Sequence, residues 1–236
     1  MSVTPWDDQS GADERRATGF GAGGDEPYAA ALSGAGTLQM RAADASGPRR
    51  DAPVVEFDVA RWSAPADQVD RSLLNGVDGP LIDLGCGPGR MVVAAQCAGV
   101  PALGVDLSAA AVRVARRAGA DVVRGSVFDP LPAEGYWDTA LLIDGNIGIG
   151  GDPVRLLRRA GAIIRVGGSV IVEAHPDPRM DRRFDAVVTD RRGRVSAAFP
   201  WAEIGLEALL DSADQAGLIP RAAWTVAHRT FCDLTR

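Results

Sequence analysis

The segment from Leu81 to Arg90, LIDLGCGPGR, constrains the fold more than any other part of the 236-residue chain. A short, mostly apolar run leads directly into glycines at three alternate positions, Gly85, Gly87 and Gly89. Because glycine has no Cβ, the backbone can turn tightly at these positions and a ligand can approach the main chain closely. The segment therefore predicts a strand, a ligand-binding turn and a helix, which together begin a parallel sheet.

The chain after residue 80 alternates short apolar runs with helical segments, which is typical of a doubly wound, mostly parallel α/β sheet. Ser108 and Asp152 are good N-caps, and Pro153 suits the first position of a helix. Two apolar stretches near the C-terminus predict an antiparallel edge of the sheet. The predicted strands span residues 81–84, 102–105, 121–124, 139–143, 169–173, 223–227 and 230–234, and the predicted helices span 89–98, 109–118, 153–164 and 203–216.

The first third of the chain carries weaker patterns. Residues 1–26 are rich in Gly, Ala, Asp and Ser without apolar periodicity, so we predict that they are disordered. Residues 27–79 are predicted to form a short N-terminal extension that serves as a lid or hairpin, and residues 80–236 form the α/β domain. The predicted elements of the extension are a helix near Tyr28, strands at 37–41 and 54–58, and a helix at 66–74.

The glycine spacing points to the kind of ligand. The pattern G-x-G-x-G is tighter than the G-x-G-x-x-G of dinucleotide-binding folds, and Pro88 removes one backbone N–H from the turn. The run DLGCGPG at residues 83–89 resembles motif I of the class I S-adenosylmethionine-dependent methyltransferases of the small-molecule type. The resemblance implies a Rossmann-like methyltransferase fold over residues 80–236, with S-adenosylmethionine as the cofactor.

Further positions fall where this family places its cofactor contacts. Asp106 ends the second strand, 21 residues after Gly85, where a carboxylate can accept both ribose hydroxyls; an ordinary acid at a helix N-terminus is the alternative. Ser126 stands where the family commonly carries an acidic residue that binds the adenine. The alternative is that Ser126 and Val127 belong to a loop without a role in binding. The predicted cofactor-binding residues are Asp83, Gly85, Cys86, Gly87, Gly89, Asp106, Leu107, Ser126, Val127, Asp144, Gly145 and Asn146, and no metal site is predicted.

Two residues are candidates for catalysis. Methyl transfer from a sulfonium is an in-line displacement that mainly needs alignment, and a base is required only if the acceptor must lose a proton. Sites of open α/β sheets lie beyond the carboxyl ends of the strands, which selects Asp144 and Asn146 after the fourth strand and Glu173 and His175 after the fifth. The predicted catalytic residues are His175 and Asp144. Imidazole is a common general base, although simple polarity explains a histidine in a proline-containing turn more often.

Two groups of aromatic and apolar side chains have two possible roles. They either cover the substrate side of the site or form a minor core, and the sequence favours neither role. Those of the N-terminal extension are Tyr28, Met40, Phe57 and Trp62, and a loop around Phe199, Pro200 and Trp201 is predicted to add a second apolar wall. An arginine cluster between residues 179 and 194 is interpreted as a solvated hairpin in preference to a site for an acidic substrate.

Composition excludes several classes of function. A net charge of −6 argues against nucleic acid as the main partner, because phosphate binding needs a concentrated basic surface. The three cysteines lack a disulfide or zinc pattern, and neither a secretory signal nor a run of about 20 apolar residues is present, so we expect a cytoplasmic protein without a membrane partner.

The sequence therefore predicts methyl transfer from S-adenosylmethionine to a small-molecule acceptor. A methyltransferase-like module that binds the cofactor without turnover, for binding or regulation, remains an alternative. An NAD- or FAD-dependent oxidoreductase is disfavoured by the glycine spacing.

Overall fold

The computed structural model describes residues 19–23, 26–34, 36–44, 47–49 and 51–236. The predicted disorder of residues 1–26 thus falls mostly on residues outside the described part. Residues 19–23, by contrast, pack against the rest of the protein through the ring of Phe20.

The N-terminal elements are short. Helix α2 begins after Asp58, whose carboxylate accepts a hydrogen bond from the N–H of Ala60, and helix α3 begins at a reciprocal capping pair between Asp67 and Asp70. The elements are α1 (Pro27–Gly34), β1 (Thr37–Asp44), β2 (Gly47–Pro48), β3 (Val55–Asp58), α2 (Val59–Ser63) and α3 (Gln68–Ser72).

The chain then alternates strands and helices, as predicted, up to residue 174. Ser108 and Asp152 cap helices α5 and α6, because their side chains accept hydrogen bonds from the N–H groups of Ala111 and Arg155. The elements are β4 (Leu81–Leu84), α4 (Arg90–Cys97), β5 (Ala102–Asp106), α5 (Ala109–Arg117), β6 (Val122–Arg124), β7 (Trp137–Leu142), a 3-10 segment (Asn146–Gly151), α6 (Pro153–Ile163), β8 (Ile164–Ala174), β9 (Asp181–Asp190), β10 (Phe199–Ile204), α7 (Leu206–Ala216), β11 (Ile219–Val226) and β12 (Arg229–Thr235).

The larger sheet has the order β11-β12-β8-β7-β4-β5-β6. The strands from β6 to β8 are parallel, and β12 and β11 close the edge in antiparallel pairing. Both faces are covered by helices, and buried apolar clusters lie on each of them. The predicted doubly wound, mostly parallel sheet with an antiparallel C-terminal edge is confirmed.

The topology positions a crevice at the carboxyl end of strand β4. From β4 the chain moves outward to β5 and β6, then returns to β7 on the other side of β4. The loops after β4 and β7 therefore leave the sheet in opposite directions, and ligands of open α/β sheets bind in the crevice between such loops. The glycine turn follows β4, and Asp144 follows β7, so both lie at this crevice.

A second sheet joins the N-terminal extension to a later part of the chain. Strand β1 pairs with β2 and β3 on one side and with β9 on the other, and β9 pairs with β10. Strands β9 and β10 were not predicted individually, because the first half of β9 is mostly charged and was interpreted as part of a solvated hairpin. Strands β1 to β3 of the N-terminal extension therefore share one sheet with strands from residues 181–204.

Two predictions in this region are corrected. The helix predicted at 203–216 begins at Leu206, because Glu203 and Ile204 are paired with Arg182 and Asp181 as the end of strand β10. The loop predicted around Phe199 is instead the start of that strand, which places its aromatic side chains at fixed positions on a sheet. Within the described residues, no helix is long and apolar enough to cross a membrane.

The two glycines that flank helix α4 provide a test of this packing. Gly89 (φ +84°) and Gly99 (φ +81°) share a left-handed conformation, but a Cβ on Gly89 would lie 2.9 Å from the Cβ atoms of both Ala115 and Ala120, whereas a Cβ on Gly99 meets nothing within 4 Å. We expect Gly99→Ala to cost about 1 kcal/mol of unfolding free energy from backbone strain. Gly89→Ala should cost roughly 1–3 kcal/mol more because of the clash.

Chemical denaturation of the two variants measures this difference. Equal destabilisation by the two substitutions would contradict the close packing of the glycine turn against helix α5.

Candidate functional site

Hydrogen bonds to neighbouring elements fix the backbone of the glycine turn, residues 85–89. The N–H groups of Gly85 and Cys86 both donate to the carbonyl of Val105, at 2.8 and 3.0 Å. The Asn146 amide donates to the carbonyls of Leu84 and Gly85, at 3.0 and 2.8 Å. A Cβ on Gly85 would lie 2.8 Å from the amide nitrogen of Asn146, so glycine is required at this contact.

Asp106 at the end of strand β5 faces the same turn. One carboxylate oxygen accepts a hydrogen bond from the N–H of Gly87 at 2.8 Å, and the other accepts from the N–H of Ser108 at 2.7 Å. Burial raises the pKa of Asp106 to about 6, against the lowering effect of these two hydrogen bonds. The carboxylate is thus fixed in place at the opening of the crevice.

Asp144 and Gly145 form a tight turn after strand β7, with φ angles of +55° and +83°. The N–H of Asp144 donates to the Glu173 carboxylate at 2.7 Å, which ties this turn to the end of strand β8. The Asp144 carboxylate accepts from the Arg90 guanidinium at 2.8 Å. Because that carboxylate is already ion-paired, its arrangement suits an anchoring role better than that of a free base.

A buried ionic network lies beneath the turn. Arg90 donates to Asp70 from Nε at 2.8 Å, and Arg229 donates to the same carboxylate at 2.8 Å and to Glu173 at 2.8 Å. The side chains of Asp70 and Arg90 are only 2% and 6% exposed. Burial alone would raise the pKa of Asp70, but the hydrogen bonds from the two arginines outweigh it and hold the pKa below its usual range. Three carboxylates, including Asp144, therefore share two guanidinium groups.

Asp83 differs from the other carboxylates because one of its oxygens has no partner. Its side chain is buried within strand β4, and the Oδ1 atom makes no hydrogen bond within the described residues. Burial raises the pKa of Asp83 to about 7, and the nearby Arg90 opposes this only in part. Burial without a partner thus favours the protonated, uncharged form of Asp83.

The loop after strand β6 supplies another part of the wall. The Ser126 hydroxyl accepts from the N–H of Phe128 at 3.2 Å, and the N–H of Ser126 donates to the Asp129 carboxylate at 3.3 Å. Asp129 is thus the acidic side chain of this turn, and one of its oxygens accepts a hydrogen bond from the backbone. Ser126, Val127 and Leu107 all line the cavity.

The glycine turn and the loops after β5, β6 and β7 line one cavity. Of the predicted cofactor-binding residues, Asp83, Gly89 and Gly145 are not on its surface but support it from behind. The predicted residues that line it are Gly85, Cys86, Gly87, Asp106, Leu107, Ser126, Val127, Asp144 and Asn146.

The second sheet and the N-terminal segment close the cavity with aromatic side chains. Phe57, Trp62 and Trp201 line it, as does Tyr28, so these members of the two predicted apolar walls face the site. Met40 and Phe199 pack behind them in a buried cluster with Ala186, Val188 and Trp201.

The predicted base is placed elsewhere. His175 is not among the residues that line the cavity. Its ring nitrogen Nδ1 accepts a hydrogen bond from the N–H of Asp177, and its backbone N–H donates to the carbonyl of Ile204. The geometry gives it no contact with the crevice, and its catalytic role stays a prediction of the sequence alone.

Three functional residues were missed by sequence reasoning. Asp70 and Arg90 form the buried ion pair, and Phe20 lines the cavity from a segment predicted to be disordered. Arg90 directly follows the glycine turn, and this position was the one available signal. Nothing in the sequence marks Asp70 or Phe20, because their partners are distant in the chain.

Asp70→Asn tests the ionic network. The variant keeps the shape of the side chain but leaves two buried guanidinium groups short of a charge, so we expect a loss of about 3–5 kcal/mol of unfolding free energy. Asp181→Asn, which breaks the exposed pair with Arg183, is the matched control and should leave the unfolding midpoint unchanged. Similar denaturation curves for the two variants would rule out the network as a structural anchor.

The pKa of Asp83 predicts a pH-dependent stability. Between the unfolded pKa of about 4 and the folded value of about 7, the folded protein holds a proton that the unfolded chain releases, so the free energy of unfolding falls as pH rises. The slope from this group is about 1.4 kcal/mol per pH unit at most.

Denaturation of the ligand-free protein from pH 4.5 to pH 8 measures this slope. Asp83→Asn should remove this contribution, so the unfolding free energies of variant and wild type should differ by a constant amount above pH 8. Burial also raises the pKa of Asp106, to about 6, so a smaller fall with pH remains in the variant. Asp121→Asn, an exposed carboxylate just before strand β6, is the control and should leave the slope intact. The same slope between pH 6 and pH 7 in wild type and in Asp83→Asn would contradict the raised pKa of Asp83.

A family model described as a methyltransferase domain matches residues 57–194. Comparison with curated protein sequences gives no match.

Solved structures of methyltransferases share the fold. A SAM-dependent methyltransferase from Bacteroides fragilis, in complex with S-adenosyl-L-homocysteine, is 20% identical with a TM-score of 0.72, and the match covers 89% of this chain and 94% of that one. The 1,6-didemethyltoxoflavin-N1-methyltransferase of Burkholderia thailandensis is 19% identical with a TM-score of 0.55, covering 76% and 81% of the two chains. The CcbJ methyltransferase from Streptomyces caelestis is 14% identical with a TM-score of 0.57, covering 74% and 91%.

These similarities agree with the Rossmann-like sheet described above. Because the family model spans more than half of the sequence, the chain belongs to the methyltransferase domain family, which confirms the resemblance carried by residues 83–89.

Proposed function

We propose that this protein binds S-adenosylmethionine in the crevice at the end of strand β4 and transfers its methyl group to a small-molecule acceptor. The observation that carries the proposal is the pairing of the bare glycine turn with the fixed carboxylate of Asp106 across one cavity. Membership of the methyltransferase domain family supports the same conclusion.

The donors and acceptors of the crevice suit the cofactor. The Asp106 carboxylate has remaining lone pairs toward the cavity and suits two ribose hydroxyls, since each of its oxygens is used only once by the backbone. Ser126, Val127 and Leu107 form the wall proposed for the adenine. Asp144 lines the cavity beside the glycine turn, and Asp83 lies buried behind it. The network that includes Asp144 has three carboxylates for two guanidinium groups, and this excess of negative charge favours a positively charged ligand.

Several solved relatives of the fold are consistent with this proposal. The Bacteroides fragilis protein holds S-adenosyl-L-homocysteine, and the Burkholderia thailandensis enzyme holds both this product and 1,6-didemethyltoxoflavin, its substrate. We extend the cofactor and the small-molecule class of acceptor to this chain, and not the particular substrate.

The protein's contribution to the reaction is alignment. Bound S-adenosylmethionine would supply a methyl group on a positively charged sulfur, a leaving group suited to in-line displacement. The glycine turn, Asp106 and Asp144 would hold the cofactor, with Asp83 and the ionic network supporting them from behind. The aromatic wall would hold the acceptor and exclude water. We assign no base: His175 lies off the cavity, and the Asp144 carboxylate is ion-paired with Arg90.

Asp106→Ala tests the cofactor site. Loss of the charge-assisted hydrogen bonds to the ribose should weaken binding of both S-adenosylmethionine and S-adenosylhomocysteine by about 1.5–3 kcal/mol, or roughly 10- to 100-fold in Kd. Isothermal calorimetry measures this change. Asp121→Ala, which removes an exposed carboxylate outside the cavity, is the control and should bind both ligands as the wild type does.

Turnover is measured with S-adenosylmethionine that carries a labelled methyl group, in the presence of small-molecule extracts, followed by detection of labelled product. Binding of the cofactor without transfer to any acceptor would favour the alternative of a module without turnover. Stabilisation by NAD and not by either sulfur nucleoside would reject the proposal.

A further inference from the structure

One end of the cavity is a ring-sized slot, and the side chain of Phe20 fills it. Five aromatic rings surround this side chain, with centroids 5.4–5.9 Å from its own. Three of them meet it edge-on and two are tilted, which are the arrangements that attract aromatic rings to one another. The five rings are those of Tyr28, Phe57, Trp62, Phe199 and Trp201.

The slot opens toward the cofactor crevice. Phe20, Tyr28, Trp62 and Trp201 line the same cavity as the glycine turn. The Tyr28 hydroxyl lies 3.2 Å from the position of a Cβ on Gly87, so it faces the turn directly. A molecule in the slot would therefore lie beside the cofactor crevice.

The hydroxyl of Tyr28 is available to a ligand. Within the described part of the chain it makes no hydrogen bond. Burial, assisted by the negative charge of Asp106, raises the pKa of Tyr28 well above its usual value, so the hydroxyl keeps its proton and can donate as well as accept.

The slot offers no free charge. Among the described lining residues, the charged side chains are Arg90, Asp106 and Asp144. Arg90 and Asp144 are paired with one another, and the backbone of the turn holds Asp106. An ionised acceptor would lose hydration here without gaining a partner, which favours a neutral ligand.

Phe20 is carried by a segment that makes few polar contacts with the rest of the described chain. Gly19 and Gly21 flank it, and Gly21 has a left-handed φ of +62°. The described hydrogen bond between residues 19–23 and the loop from β9 to β10 runs from the N–H of Ala197 to the carbonyl of Ala22. Displacement of the ring therefore breaks few polar contacts.

We propose that this slot binds a neutral, planar aromatic ring of the methyl acceptor, and that Phe20 occupies the place of that ring until the acceptor displaces it. The acceptor ring packs against Tyr28, Trp62 and Trp201, and the Tyr28 hydroxyl binds an oxygen or nitrogen on the ring. The inference rests on the proposed function and specifies its acceptor class.

Calorimetric titration of 2-naphthol into the full-length protein saturated with S-adenosylhomocysteine tests the slot. Decahydro-2-naphthol, which is saturated and not planar, and tetramethylammonium, a cation of the kind that aromatic cages bind, are the comparison probes. We expect 2-naphthol to bind at least about tenfold more tightly than either, because only a flat ring replaces the edge-on contacts of Phe20.

Variants separate a displaced ring from a permanent wall. Phe20→Ala should tighten 2-naphthol binding about tenfold, because the apparent affinity of a site is reduced by the fraction of molecules in which it is closed. Trp62→Leu, which keeps apolar volume but removes the ring, should weaken binding several-fold. Trp224→Leu, which makes the same substitution on strand β11 outside the cavity, is the matched control and should change neither value.

Three outcomes would overturn the inference. Weaker 2-naphthol binding in Phe20→Ala would show that Phe20 is a permanent wall of the slot. Equal binding of 2-naphthol and decahydro-2-naphthol would show that the slot does not select a flat ring. Tighter binding of tetramethylammonium than of 2-naphthol would assign the slot to a cation. The 2-naphthol titration is repeated without S-adenosylhomocysteine, so that the slot is tested independently of the nucleoside. Failure of S-adenosylhomocysteine to bind would contradict the proposed function, and the 2-naphthol data would still decide the inference about the slot.

Discussion

The buried guanidinium of Arg90 is the interaction on which the site depends. Arg90 is the first residue of helix α4, directly after the glycine turn. Its guanidinium binds Asp70 from the N-terminal extension and Asp144 from the loop after β7. Through Asp70 it is linked to Arg229 on the last strand and to Glu173 at the end of β8. Buried charges are tolerated only when fully paired, so this arrangement fixes the relative positions of elements that are far apart in sequence.

The cavity combines two architectures. One wall is the carboxyl edge of a parallel sheet, where backbone N–H groups, carbonyls and the Asp106 carboxylate provide polar groups in fixed positions. The opposite wall comes from the second sheet and residues 19–23 and presents mainly aromatic rings. A polar wall suits a nucleoside and an aromatic wall suits an apolar acceptor, which is the arrangement that the proposed transfer between two bound molecules requires.

Much of the fold was predictable from local patterns. The order of strands and helices from residue 80 to 174, the caps at Ser108 and Asp152 and the antiparallel edge all follow from signals within a few residues of each element. The glycine turn and Asp106 were found for the same reason, because both are marked by position in a βα unit. Strand β9 was missed because charged residues dominate its first half and because its pairing with β1 joins residues about 150 positions apart. Strand β10, which pairs with β9, was missed with it.

The sequence by itself determined the βα framework, the turn and the carboxylate at the end of the second strand, because each depends on neighbours along the chain. The tertiary structure alone decided what surrounds them. It brought Asp70 and Arg229 to Arg90, moved His175 away from the crevice, and inserted Phe20 among five rings that come from four separate segments. Those contacts arise from burial and charge pairing across the folded chain, which no local spacing encodes.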